Sequence, residues 1–224
     1  MRRAATAALL VLAAASPAPA GDIPDALIIL EAAPGTPGSD PSGAPPRFVL
    51  LKDGQVFVGG TARLEAGRLE KGETSAFLKR AEAVRRLPGL SPTVSLGGDP
   101  ARTLRLRLLD GKPLEVVATG DPAGAPPALA TLAALLGDLL RFDHPSLRPY
   151  APTSYVLAVR EARLVGGCRA WGFAFPIAQA LAAPRTVSAA EASGWPTGGF
   201  PASVCADDRH YVVTLRPLLP GERP

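Results

Sequence analysis

Residues 47–60 read RFVLLKDGQVFVGG. Phe48 to Leu51 and Val56 to Val58 are apolar runs, and Lys52-Asp53-Gly54-Gln55 interrupts them. Two β-favouring runs around an Asp-Gly pair are a strong short-range signal for a hairpin, because a type I′ turn needs positive φ at both central residues. The device returns at 103–120, where TLRLRLL and PLEVVATG flank Asp110-Gly111. A helical stretch follows each hairpin. This order predicts an α+β fold, mainly an antiparallel sheet from the two Asp-Gly hairpins with two helices on one face. The first hairpin does not alternate strictly, so part of it should be covered on both faces. In the second, Leu104, Leu106 and Leu108 alternate with Arg105 and Arg107, the pattern of a strand with one wet face.

The helices are readable from their stripes. Over 74–87, Phe77, Ala81 and Val84 share a face, while Lys79, Arg80, Glu82, Arg85 and Arg86 turn to water. This basic cluster reads as a solvated helix face rather than an anion site. Over 128–142, Leu129, Leu132, Leu136 and Leu139 recur at helical spacing, with few polar positions, so this helix should be the more buried. Upstream, ALIILE at 26–31 is a short strand, and 33–46 is a Pro/Gly/Ser-rich loop. Residues 62–69 read as an edge strand and 91–100 as a loop.

The N-terminus carries Arg2 and Arg3, an apolar core over 4–15 and Ala18-Pro19-Ala20. These are the parts of a signal peptide cleaved after Ala20. No later apolar run reaches the roughly 20 residues of a membrane helix. The mature chain is expected to be exported, periplasmic or secreted, with no transmembrane segment. No cysteine lies near the cleavage site, so no lipid anchor is expected there. The chain has 24 Lys+Arg and 20 Asp+Glu. Residues 1–20 hold two of those bases and no acid, which leaves 22 against 20. So mild and dispersed a balance does not call for a nucleic-acid partner. Asparagine is absent and arginine far exceeds lysine, the bias of a GC-rich bacterial genome.

The C-terminal third has a different texture. YVLAV at 155–159 and YVVTL at 211–215 are its clear strands, and they should pair or share a sheet. Between them lie Pro, Gly, Ala, Ser, two tryptophans and the 2 cysteines, Cys168 and Cys205. In an exported chain this pair is most simply a disulfide. It would close a loop of about 38 residues, worth about 3–4 kcal/mol on the loop-entropy account. A reduced pair, or half of a metal site, is the alternative. Ser188 and Glu191 have capping-box spacing for a short helix at 188–193. Three segments are thus expected: a signal peptide at 1–20, a hairpin-helix-hairpin-helix unit at 21–145, and at 146–224 a strand pair with a bridged irregular segment, packed on that unit.

A set of short motifs runs through the chain: Phe48-x-Leu50 with Asp53-Gly54-x-Val56, Asp110-Gly111, Tyr150-x-Pro152, Trp195 with Gly198-Gly199, and Arg216-Pro-Leu-Leu-Pro-Gly-Glu222. In these the chain resembles a group of uncharacterised exported bacterial proteins and lipoproteins. The resemblance covers most of the mature chain. It implies export and an α+β domain, and it transfers no catalytic residue, since that group carries no established activity. The chain departs from the lipoproteins in lacking an anchoring cysteine.

Chemistry is sparse. Gly-x-Ser-x-Gly, Ser-x-x-Lys, His-Glu-x-x-His, Gly-x-Gly-x-x-Gly and Walker patterns are missing. No catalytic residue and no cofactor is assigned. His144 and His210 are the 2 histidines. Asp208 and His210 flank one residue at a strand entry, so they should point to one side. With His144 they are weak candidates for metal ligation or for base catalysis; the plainer reading is a polar turn. Trp171, Phe173, Phe175, Trp195 and Phe200 concentrate the aromatics. Trp171, Phe173, Trp195 and Tyr150 are possible binding residues, although a small core over the disulfide is the plainer reading for the cluster and a ring-docking corner for Tyr150. Three functions remain: a non-catalytic exported domain binding an envelope component, peptide or protein; an inhibitor of secreted hydrolases presenting the bridged loop; and a hydrolytic or metal-dependent enzyme using His144, Asp208 and His210.

Overall fold

The computed structural model describes residues 23–33, 46–59, 64–98, 102–162, 167–197 and 201–223. The segment read as a signal peptide, most of the loop at 33–46, Gly198-Gly199 and Phe200 lie outside them.

The first eight strands are β1 (Ala26–Ala33), β2 (Phe48–Leu51), β3 (Gln55–Val58), β4 (Glu65–Arg68), β5 (Thr93–Gly97), β6 (Thr103–Leu108), β7 (Leu114–Gly120) and β8 (Arg148–Pro149). They form one sheet in the order β5-β7-β6-β1-β2-β3-β4-β8. Both Asp-Gly hairpins belong to it, joined through β1, which pairs antiparallel with β2 and β6. Helices α1 (Lys71–Arg85) and α2 (Ala130–Leu140) cover one face. Their Phe77, Ala81, Val84, Leu132, Leu135, Leu136 and Leu139 pack with Ile28, Leu30, Phe48, Leu50, Val56, Leu104, Leu106 and Leu108. α2 is the more buried, as its leucine stripe predicts. A register shift between Ala26 and Ile28 turns both Leu27 and Ile28 to the helices.

The opposite face is also covered. Ile29, Val49, Leu51 and Phe57 form a second core with Leu219, from beyond the last strand. Burial on both faces is why the first hairpin reads as continuous apolar runs rather than alternation.

The remaining strands make a second sheet: β9 (Ser154–Glu161), β10 (Arg169–Ala170), β11 (Arg185–Ser188), β12 (Pro201–Ala206) and β13 (Arg209–Pro217). Their order is β10-β12-β13-β9-β11. The expected pairing is present: β9 and β13 are antiparallel, with Val159 opposite Val213 and Leu157 opposite Leu215. Helix α3 (Ile177–Ala182) packs beside β9. Leu157, Val213, Leu215, Val187, Ile177 and Val204 form the core of this sheet. Val156, Val212 and Arg216, on its other face, are buried as well.

Several expectations need correction. The Asp-Gly turns are not type I′. Gly54 has φ +83° and Gly111 +69°, but neither Asp53 nor Asp110 has positive φ. The first connection leaves Lys52, Asp53 and Gly54 between the strands, a three-residue loop closed by a glycine in the left-handed region. A Cβ on Gly54 would stand 2.8 Å from the Leu69 carbonyl. Residues 91–100 hold β5, parallel to β7; its Leu96 is fully buried. The short helix expected at 188–193 is a turn. Its capping-box contacts form, with Glu191 accepting from Ser188 N–H at 2.8 Å and Ser188 Oγ accepting from Glu191 N–H at 3.2 Å, but no helix follows. The arginine face of β6 is not open to water. Arg107 and Arg105 lie 3.3 and 3.7 Å from Glu31, which is fully buried. Burial pushes the Glu31 carboxyl up, against the pull of Arg107, Arg105 and Arg216.

Candidate functional site

The bridge between Cys168 and Cys205 is formed, with Cα atoms 5.6 Å apart. Cys205 lies on β12, and β10, just after Cys168, runs parallel beside it. The expectation that antiparallel β9 and β13 would bring the cysteines together holds in outline. The contact is made one strand further out, because β12 lies between β13 and β10.

The bridge flanks a column of rings. The Arg169 guanidinium lies 3.9 Å over Trp195. Trp195 stacks on Phe173 at 4.7 Å, and Phe173 on Phe175 at 5.7 Å. Arg185 closes the far end, 4.8 Å from the Phe175 centroid. Trp171 flanks the column edge-on, and its Nε1–H donates to the Phe175 carbonyl at 2.6 Å. Trp195 and Phe173 are buried, Trp171 and Phe175 half-buried, and both arginines exposed. The faces of Trp195, Phe173 and Phe175 are taken by neighbours in the column. Both guanidinium groups reach solvent beside the half-buried Trp171 and Phe175, and each is stacked on a ring by a cation–π contact. Arg169 is further tied by donating to the Gly194 carbonyl at 2.9 Å. Leu181 on α3 is 38% exposed. Sequence reasoning found the aromatics and missed Arg169 and Arg185; Arg169, close before Trp171, was an available signal, whereas Arg185 lies far along the chain from the Phe175 ring that it caps and gave none.

Tyr150 stands apart from this column. Its ring meets Phe57 edge-on at 5.3 Å and joins the core of the first sheet. Burial pushes its hydroxyl up. It docks a corner, the plainer of its two readings.

The histidines do not share partners. His144 Nδ1 is 2.7 Å from Ser146 Oγ, and its Nε2 is 3.1 Å from Glu73. Serine, histidine and glutamate in line invite a catalytic reading, but the serine is engaged. Ser146 Oγ donates to the Arg68 carbonyl and accepts from the Arg68 N–H, both at 3.0 Å. It sits over Gly67, where a Cβ would come within 2.5 Å of it. Glu73 in turn accepts from the Glu70 N–H at 2.8 Å, opening α1. The cluster fastens the segment after α2 to β4 and α1.

His210 lies on β13 opposite Cys205, with Nδ1 3.5 Å from its sulfur. Asp208 is in the connecting turn and exposed; it has φ +58°, and Asp207 has +49°. This is the polar turn of the plainer reading, and it places His210 with the cysteines rather than with His144. On α1, Arg86 and Arg85 pair with Glu82, Arg80 pairs with Asp138, and Arg85 also caps the carbonyls of Asp110 and Lys112. These partners make the basic helix face largely self-satisfied. Among the described residues no helix is long and apolar enough to cross a membrane. No family model, curated protein or solved structure matches the chain.

Proposed function

We propose that this chain is an exported, non-catalytic binding domain of the bacterial cell envelope, and that it engages its partner through the arginine-capped column beside the Cys168–Cys205 bridge. The observation that carries this reading is that column: two exposed guanidinium groups, fixed over aromatic rings, on a covalently braced sheet. Arginine and aromatic side chains dominate binding energy at protein surfaces, and prior stacking lowers the entropy lost on contact. Fixed guanidinium forks suit carboxylate or phosphate groups, so an acidic peptide, protein segment or anionic envelope polymer fits. Export is supported by the N-terminal leader pattern, by a disulfide, which oxidising compartments permit, and by the resemblance to exported bacterial proteins.

The enzyme reading draws less support, since Ser146 is engaged on Arg68 and the two histidines have different partners. So does the inhibitor reading. The bridged segment is not a projecting loop: it contains α3 and β11 and buries Ile177, Ala180, Val187 and Ala192. The test is fractionation of expressing cells. The chain should begin at Gly21, leave the cytoplasm, and bind washed envelope fractions saturably. A cytoplasmic chain that keeps Met1, or an exported one with no saturable retention, contradicts the proposal.

A further inference from the structure

Cys168 and Cys205 Sγ and a ring nitrogen of His210 all lie within 4.8 Å of one another. The geometry points to a thiol-gated cation site: oxidised, the three residues are a brace, and after reduction of the bridge they hold one Zn²⁺ or similar thiolate-seeking ion. This inference is independent of the binding proposal above. In a tetrahedral zinc site, bonds of about 2.3 Å to sulfur and 2.0–2.1 Å to nitrogen put neighbouring S and N atoms about 3.5 Å apart. Cys205 Sγ and His210 Nδ1 are already 3.5 Å apart. Their spacing is set by cross-strand pairing in β12–β13, where Cys205 faces His210. Only the two sulfurs must part, to about 3.8 Å in the same geometry. Cys168 can supply that movement. It precedes β10, a two-residue strand at the edge of the sheet, exposed and paired on one side only. Three protein donors leave the fourth position to water, so the ion would be exchangeable.

Opening the site requires an external two-electron reductant, for example a dithiol. Its first thiolate attacks the more exposed Cys168 sulfur, the bond between the sulfurs breaks, and Cys205 leaves as a thiolate. The second thiol of the reductant then displaces Cys168 from the mixed disulfide. The reductant ends as a disulfide, and the protein has gained two electrons and two protons. Cation binding releases those protons from the thiols.

Full-length mature protein, reduced with a phosphine and desalted without oxygen, is titrated with Zn²⁺ against a chromophoric chelator. Co²⁺ is used in parallel for the visible absorption of tetrahedral thiolate coordination. One Zn²⁺ per chain should bind, should block alkylation of both thiols, and should be absent from the oxidised protein. His210→Ala should weaken binding by about tenfold or more, the scale of a disturbed metal site. Binding by the reduced chain no tighter than by a Cys168→Ser/Cys205→Ser variant overturns the inference, as does a His210→Ala variant with unchanged affinity. If reduction loosens the C-terminal sheet, Zn²⁺ must restore the tryptophan emission; failure to do so also overturns it.

Discussion

Glu222 is buried, and its carboxylate answers two groups, the Arg216 guanidinium and the Leu219 N–H at 3.0 Å. Arg216 is only 4% exposed. Removing one partner of a buried pair weakens the compensation of the other charge, here Arg216, which Glu31 still attracts; the cost is up to about 3–5 kcal/mol. Glu222→Ala should lower stability on that scale in urea unfolding; a loss under about 1 kcal/mol would mean that Glu31 or water suffices for Arg216. The Arg-Pro-Leu-Leu-Pro-Gly-Glu motif is thus a clasp, and it seats Leu219 in the second core of the first sheet. Glu73 carries a pH signature. The Glu70 N–H first, and then His144, hold its carboxyl below the ordinary 4.5. A depressed folded pKa adds stability above the unfolded value and loses it as pH falls through the folded one. Glu73→Gln should therefore lower stability at neutral pH and flatten the further loss below about pH 4.5, read from urea midpoints at pH 7 and pH 3. Acid limbs of equal steepness would contradict this. Neither clasp was legible beforehand. Glu222, Glu73 and Ser146 look like ordinary surface residues until their partners are brought to them by the fold.

Elements were legible where periodicity was long. The two helices and the paired strands β9 and β13 announce themselves through stripes and β-branched runs. Leu136 is fully buried on α2, so Leu136→Ala should cost about 2–5 kcal/mol; calorimetry showing under 0.5 kcal/mol would place that face in water. Short elements were not legible. β5 turns few apolar side chains inward, and β10 has two residues. β12, opening on Pro201, lacks the β-branched density of a strand and is held by β13. Turn chemistry misled in both directions. Both Asp-Gly pairs mark real hairpins, but the connections are longer than two residues. The two-residue turn with positive φ at both positions falls at Asp207-Asp208, where no glycine signals it. The Ser188/Glu191 box formed its bonds without a helix, because those bonds satisfy a turn equally well.

At the scale of the molecule, the chain is two sheets with different means of support. The first has helices on one face and the C-terminal segment against the other. The second packs α3, a small aliphatic core and the aromatic column on one face, and one covalent bridge ties its edge. Reduction should therefore loosen the second first. Trp171 and Trp195 should shift to the red while the far-ultraviolet signal is largely kept; simultaneous loss of both would show one cooperative unit. The candidate site divides in the same way. Its rings and cysteines could be named from composition, whereas the arginines that cap the column come together only when β10 and β11 flank the second sheet.

The central claim is that the column, not the basic face of α1, meets the partner. Retention on washed envelope fractions should be compared for wild type, Arg169→Ala/Arg185→Ala and Lys79→Ala/Arg86→Ala. Loss of two fixed guanidinium contacts at about 1–2 kcal/mol each predicts a drop of about tenfold or more for the first variant, with the second unchanged. Wild-type retention by the Arg169→Ala/Arg185→Ala protein, or loss confined to the helix variant, would contradict the account.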